Sequence, residues 1–185
     1  ARLAYSTISQ LSYITLGVAL ASSMGILGGG LHVVMHAMGK ITLFMCAGSI
    51  YVATHRTEIS QMTGLGRRMP ITFIAFLIGA LSIIGLPPLG GSWSKWLLMV
   101  GAVDAEHLFI LGVLLVSSLL NVAYLLPLVA KGFFLSNDTD AELAQSAEAS
   151  PLVWGPPAAT AFGCVVLFFY AGHIQDFLMP IVATN

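Results

Sequence analysis

His32-Val-Val-Met-His36-Ala-Met-Gly-Lys40 decides how this chain is read. The stretch lies inside residues 3–54, where Lys40 carries the only fixed charge. An apolar run of that length far exceeds the roughly 20 residues that cross the hydrocarbon core of a bilayer, so it reads as membrane-spanning helix. At about 100° and 1.5 Å per residue, positions i, i+4 and i+8 stay within roughly 80° of one helix face and climb about 12 Å. His32, His36 and Lys40 therefore form a ladder along one face. A lysine near the middle of a membrane helix is costly enough to face protein or water, which makes this ladder the first candidate functional site.

The rest of the chain agrees with a membrane setting, since 57% of its 185 residues are hydrophobic and 8% are charged. The apolar runs do not alternate with polar residues as spanning strands would, which leaves helices to satisfy the backbone in lipid. The expected architecture is an all-α polytopic transmembrane bundle in one membrane domain over 1–185. Its helices are placed at 3–23, 31–54, 70–86, 90–104, 108–134 and 153–177. Gly25 and Gly28-Gly29-Gly30 are read as a tight turn between the first two. Ser6, Thr7, Ser9, Gln10, Ser12 and Thr15 stud the first helix with groups that bond across helices. Ser117, Ser118, Asn121, Tyr124 and Pro127 do so in the fifth, where the proline predicts a kink.

The third span is divided. Pro70 suits a first helical turn, and Pro87-Pro88-Leu-Gly90-Gly91 then breaks the run before Ser92-Trp93-Ser94-Lys95-Trp96 resumes it. A membrane helix interrupted by Pro and Gly, with a lysine just after the interruption, is the pattern of a discontinuous helix. Such breaks are tolerated where protein, water or an ion meets the freed backbone groups. Trp93 and Trp96 flank Lys95 as residues do at a membrane interface, which is its competing reading.

Between the second and third spans, residues 55–69 hold Arg56, Glu58, Arg67 and Arg68, and the positive-inside rule places such a loop in the cytoplasm. Residues 136–148 are an acidic stretch that reads as a solvated linker. The net charge of −1 and the lack of a glycine-rich phosphate loop after a strand exclude nucleic acid and nucleotide as partners. Cys46 and Cys164 sit in apolar runs and read as buried thiols. The opening Ala-Arg-Leu-Ala-Tyr carries neither an initiator methionine nor a signal pattern, so the chain is expected to be a piece of something longer.

Lysine and histidine are groups that exchange protons when a neighbouring charge changes, and three in line supply what a relay needs if water bridges the gaps. The alternative is that both histidines hold helices together while Lys40 snorkels, but its side chain reaches an interface poorly from mid-span. Two histidines at i and i+4 lack a third Cys, Asp or Glu nearby, so no metal, haem or other cofactor is expected. No nucleophile with an adjacent base points to hydrolysis, and no enzyme chemistry is expected within the chain.

Four motifs occur together and in order: Arg-Leu-Ala-Tyr-Ser-Thr-Ile-Ser-Gln at 2–10, His-x-x-x-His-Ala-x-x-Lys at 32–40, Gly-Leu-Gly-Arg-Arg-Met-Pro at 64–70, and Gly-Leu-Pro-Pro-Leu-Gly-Gly-x-x-Ser-Lys at 85–95. Through them, residues 2–134 resemble the antiporter-like subunits of Mrp-type sodium/proton antiporters, respiratory complex I and membrane-bound hydrogenases. Ile59-Ser-Gln-Met62, Trp96 and Asn121-Val-Ala-Tyr-Leu-Leu-Pro-Leu128 are most similar to the D subunit of the Mrp type. One departure is Ser92-Trp93 after Gly91, where a phenylalanine commonly follows the glycine. The resemblance implies a fold of two inverted repeats, each with a discontinuous helix, of which this chain is the second plus a final helix. It further implies that Lys40 and His36 lie on a central polar axis with His32 beside them. Lys95 would be the protonatable lysine of the broken helix, and Pro87, Pro88, Gly90 and Gly91 would form the break. The family's charge geometry puts residues 55–69 outside, against the arginine count.

The function expected from these readings is proton translocation coupled to Na+ exchange, in an integral protein of the bacterial inner membrane with other membrane subunits as partners. The alternatives are a proton-pumping subunit of a redox complex, either NADH:quinone oxidoreductase or membrane-bound hydrogenase, and a structural scaffold.

Overall fold

The computed structural model describes residues 2–135 and 147–183. Among the described residues there are six helices: α1 (Arg2–Ala19), α2 (Ser23–Thr54), α3 (Pro70–Ile84), α4 (Gly91–Asp104), α5 (Leu108–Phe134) and α6 (Pro151–Ala183). Two 3-10 turns, Ile59–Met62 and Leu65–Arg67, lie between α2 and α3. Of the expected acidic linker, 136–146 fall outside the described residues. Among the described residues three helices, α2, α5 and α6, are long and apolar enough to cross a membrane. With 15 and 14 residues, α3 and α4 are each about 22 Å long, short of a hydrocarbon core of about 30 Å.

Helix α2 organises the rest. It begins where the Ser22 hydroxyl accepts a bond from Gly25 N at 3.1 Å, and it ends at His55, whose amide donates to Tyr51 O from a left-handed backbone (φ 54°). The turn between α1 and α2 is therefore at residues 20–22, and Gly25 and Gly28–Gly30 are helical, contrary to the expected turn. A Cβ on Gly28 would lie 2.7 Å from Leu98 N of α4, and one on Gly25 would lie 2.9 Å from Gly17 O of α1. These glycines let three helix backbones approach more closely than any side chain allows, which is how helices associate in lipid, where apolar burial drives little.

The neighbours of α2 all run antiparallel to it. Gly17 of α1 packs at Gly25 and Gly29, and the Lys40 ammonium reaches Leu3 O at the other end of α1. On α6, Val153 O accepts from Ser49 at 3.0 Å, Thr160 accepts from Thr42 at 2.9 Å, and Leu178 packs at Gly30. Along a third side, Gly79 and Ile83 of α3 meet Thr42, Leu43 and Gly39; Gly90 meets Met35; and Leu98 and Gly101 of α4 meet Gly28 and Gly25. Thus α3 and α4 follow one another along α2 as two halves of one divided span. The division falls opposite Met35, between His32 and Lys40.

The division begins at Gly85, which ends α3 with φ +93°, a conformation open to glycine and costly for other residues. A Cβ on Gly91 would overlap Ser82 O, so α4 starts directly against the last turn of α3. Helix α5 packs antiparallel on α1 through Ser6–Tyr124, Gln10–Asn121 and Tyr13–Ser117. Its helix continues through Pro127 to Phe134. At the far end, the Glu148 carboxylate accepts from the amides of Ile71 (3.0 Å) and Thr72 (3.3 Å) and from the Thr72 hydroxyl, which caps α3. Gly64 N donates to Lys131 O at 3.1 Å and Arg67 Nε to Phe133 O at 2.8 Å, fastening residues 55–69 to the end of α5.

Candidate functional site

Because α1, α3, α4 and α6 cover the side of α2 that carries its polar residues, that face is shut away: His32, His36 and Lys40 are 2%, 7% and 5% exposed, while Val33, Ile41 and Phe44 on the other side stay exposed. His32 is held on both sides. Its Nδ1 shares a hydrogen bond of 2.9 Å with Ser94 Oγ of α4, and its Nε2 one of 3.1 Å with Gln10 Oε1 of α1. Its ring lies 5.4 Å from that of Tyr13 and stacks 5.7 Å from that of His36, the next rung. His36 Nδ1 is buried with no hydrogen-bond partner among the described residues. Lys40 does not snorkel; its ammonium donates to Leu3 O at 3.3 Å inside the protein.

Lys95, one residue past Ser94, is 5% exposed even though its neighbours Trp93 and Trp96 are 39% and 59% exposed. Its ammonium donates to Ile84 O at 3.0 Å and to Ser118 Oγ of α5 at 3.2 Å, and lies 5.1 Å from the centre of the Tyr13 ring. Ile84 O is one of the carbonyls left without a helical partner where α3 stops, so the lysine after the break satisfies the backbone that the break frees. Gly90 N, on the other side of the break, donates to Cys164 O of α6 at 3.1 Å. A Cβ on Gly85 would lie 2.8 Å from Lys95 Cδ, so this glycine also gives the lysine stem its passage. A cavity of about 560 Å³ reaches Lys95 and Ser118 between Trp93, Trp96 and Gly85.

Four side chains that carry the site were not among the expected site residues: Gln10 and Tyr124 were expected only to bond across helices, and Tyr13 and Ser94 had no expected role. Gln10, fully buried, bonds His32 through Oε1 and donates through Nε2 to Asn121 Oδ1 at 3.3 Å. Tyr124 OH donates to the same oxygen at 2.8 Å and shares a hydrogen bond with Ser6. Ser94 links His32 to the first turn of α4, and Tyr13 bridges to Ser117 at 2.7 Å. The signal was present, because Ser6, Gln10, Tyr13 and Gly17 recur at helical spacing and are the buried residues of α1. Thr7, Ser12 and Thr15, which were expected to bond across helices, instead bond back to carbonyls of α1 itself.

The chemistry available is that of several bases close together. Two unit charges at the 5.7 Å between the histidine rings repel by about 3 kcal/mol at an effective dielectric of about 20. Adding a proton at one position therefore disfavours a proton at the next, which is the coupling that moves charge along a line.

A family model described as the transmembrane region of NADH:quinone oxidoreductase and Mrp antiporter proteins matches residues 1–121. Over 131 residues the chain is 40% identical to NADH-quinone oxidoreductase subunit N of Desulforudis audaxviator, covering 71% of this chain and 26% of that protein. Over 184 residues it is 32% identical to NADH-quinone oxidoreductase subunit L of Rickettsia bellii, covering 99% of this chain and 27% of that protein. The chain thus spans about a quarter of the length of these curated relatives. Its fold is similar to that of a chain in the Mrp complex of a Dietzia species, with a TM-score of 0.86, 23% identity, and coverage of 98% of this chain and 41% of that one.

Proposed function

The chain belongs to the NADH:quinone oxidoreductase/Mrp antiporter transmembrane family, and from that premise we propose that it carries protons across the membrane on a path through Lys95, His32, His36 and Lys40. It is an antiporter-like integral membrane subunit of the Mrp or complex I type. One observation carries the proposal: two lysines, each 5% exposed at membrane depth, meet neutral oxygens at the two ends of a histidine pair. A scaffold does not need this arrangement, since burying an ammonium costs several kcal/mol that an apolar contact avoids. The cavity at Lys95 supports this position as one mouth of the path.

Two settings differ in what drives the protons. The names of the 40% and 32% identical relatives favour a redox-driven, quinone-reducing complex of the cell membrane, in which this chain pumps but holds no redox group. The likeness of residues 59–62 and 121–128 to the Mrp D subunit favours exchange of protons for Na+. In either setting other membrane subunits are partners.

The test uses the whole complex in inverted membrane vesicles, with Lys95→Ala and Lys40→Ala compared with the parent for assembly and for decay of a pH gradient. Both variants are expected to assemble and to lose transport by about a hundredfold or more, the scale of a removed proton-transfer group. Wild-type transport in an assembled Lys95→Ala complex refutes the path, and lost assembly in both variants favours the scaffold. Gradient formation on adding NADH assigns the redox setting, and a response to Na+ without a reductant assigns exchange.

A further inference from the structure

We infer that the cavity at the helix break binds a long-chain carboxylic acid drawn from the bilayer, with its carboxylate on Lys95 and Ser118 and its chain along α4 and α5, and that this occupant closes one mouth of the proton path. The closure rests on the path proposed above, whereas the binding stands on the cavity itself. At about 560 Å³ the cavity has the size of a small-molecule site. Trp96 and Met99 of α4, Leu115 and Leu119 of α5 and Phe168 of α6 wall it, and Lys95 and Ser118 are polar groups inside. Trp96, Leu115 and Leu119 are each more than half exposed, so at membrane depth the walls run on into surface that meets hydrocarbon. The Trp93 and Phe168 rings, 5.8 Å apart, hold the α4 and α6 walls together.

Charge sets the head group. The Lys95 ammonium donates to two neutral oxygens, Ile84 O and Ser118 Oγ, and the hydrogen of the Ser118 hydroxyl meets no acceptor among the described residues. One N–H of the lysine and the O–H of the serine are thus left for an acceptor. Within the six helices acids occur only at Asp104, about 14 Å along α4 from Lys95, and Asp176, about 12 Å along α6 from Phe168. A buried ammonium among neutral dipoles gains most from an anion in direct contact. Depth then selects the anion. A phospholipid phosphate stays ionised and tethered at the interface, whereas a carboxylic acid enters hydrocarbon in its neutral form. At Lys95 the O–H bond of the acid breaks as an N–H bond forms on the unprotonated Nζ, which leaves carboxylate beside ammonium and consumes no other reactant. Paired in this way Lys95 keeps its proton, and the chain fills the space that water needs. Because the chain passes from one apolar medium to another, its burial contributes little and selectivity resides in the head group.

The test is photolabelling of the whole complex in phosphatidylcholine vesicles with hexadecanoic acid that carries a diazirine, followed by mass spectrometry of the peptides. Labels are expected on Trp96, Met99, Leu115 and Leu119. Unlabelled hexadecanoic acid should displace them more effectively than its uncharged methyl ester by about tenfold or more, the scale of one hydrogen bond to a charged group. Equal displacement by the ester, or labels spread alike over the exposed faces of α2 and α5, means partitioning into lipid only and overturns the site. Displacement by phosphatidylglycerol as effective as that by the acid overturns the choice of ligand. Lys95→Gln, which removes the charge, and Leu119→Trp, which fills the cavity, are each expected to lower labelling by about tenfold. Normal labelling in either assembled variant overturns the site, and the exposed position of Leu119 keeps that variant available where Lys95→Gln fails to assemble. Proton transport is read as the rate above that of vesicles without the complex, because carboxylic acids carry protons through lipid by themselves. With acid at about ten times its half-labelling concentration, occupancy predicts a loss of about tenfold in the parent and none in Leu119→Trp relative to its own rate without acid. Full labelling with unchanged transport overturns the closure. If Lys95→Ala itself transports normally, the path fails while the labels still decide the site, so the two failures are distinguishable.

Discussion

Replacing Gly28 by alanine should separate α2 from α4 and break the His32–Ser94 bond without touching either residue. The added Cβ would stand 2.7 Å from Leu98 N, 3.0 Å from Leu98 Cγ and 3.1 Å from Leu97 C, so the obstacle includes the backbone of α4 as well as a flexible side-chain tip. Carbon needs about 3.5 Å from such an atom, so the two helices must part by about 0.8 Å at this level. His32 and Ser94 lie one turn further along the same pair of helices. A bond of 2.9 Å lengthened by that amount reaches about 3.7 Å, beyond hydrogen-bonding range. Overpacking of this kind costs about 1–3 kcal/mol. Gly48→Ala, on the same helix with nothing within 4 Å of the new atom, should be neutral or stabilise by up to about 1 kcal/mol. The assay is thermal unfolding of the purified complex beside proton transport in vesicles. Gly28→Ala is expected to lower both and Gly48→Ala neither. Equal behaviour of the two would refute the close approach of α2 and α4, and with it the geometry of the site.

Two further outcomes are expected. Glu148→Ala removes the carboxylate that accepts from Ile71 N and Thr72 N, and should cost about 1 kcal/mol, visible as a lower unfolding temperature with the path intact. Cys46 and Cys164, which are free thiols 0% and 1% exposed, should resist a membrane-permeant maleimide in the native complex and react once detergent unfolds it. Rapid labelling of Cys164 would contradict the packing of its face of α6 against Thr42 of α2.

What this sequence determined by itself is the class of the protein and the positions of its costly residues. A 52-residue run with one charge has a single stable setting, and helical spacing alone lines up His32, His36 and Lys40. The Pro-Pro-Leu-Gly-Gly segment likewise announces a break, because proline and glycine act on their own backbone. Tertiary structure alone decided what those residues meet. Gly25 and Gly28–Gly30 look like a turn in one dimension, since glycine permits a bend and a close approach equally well, and only the neighbouring helices α1, α4 and α6 choose between them. The roles of Gln10, Ser94, Asn121 and Tyr124 were hidden for a related reason. Their partners lie 22 to 118 residues away, except for the bonds from Tyr124 to Asn121 and from Ser94 to Gly91, and a hydrogen bond depends on distance and direction in space, for which spacing along the chain carries no signal.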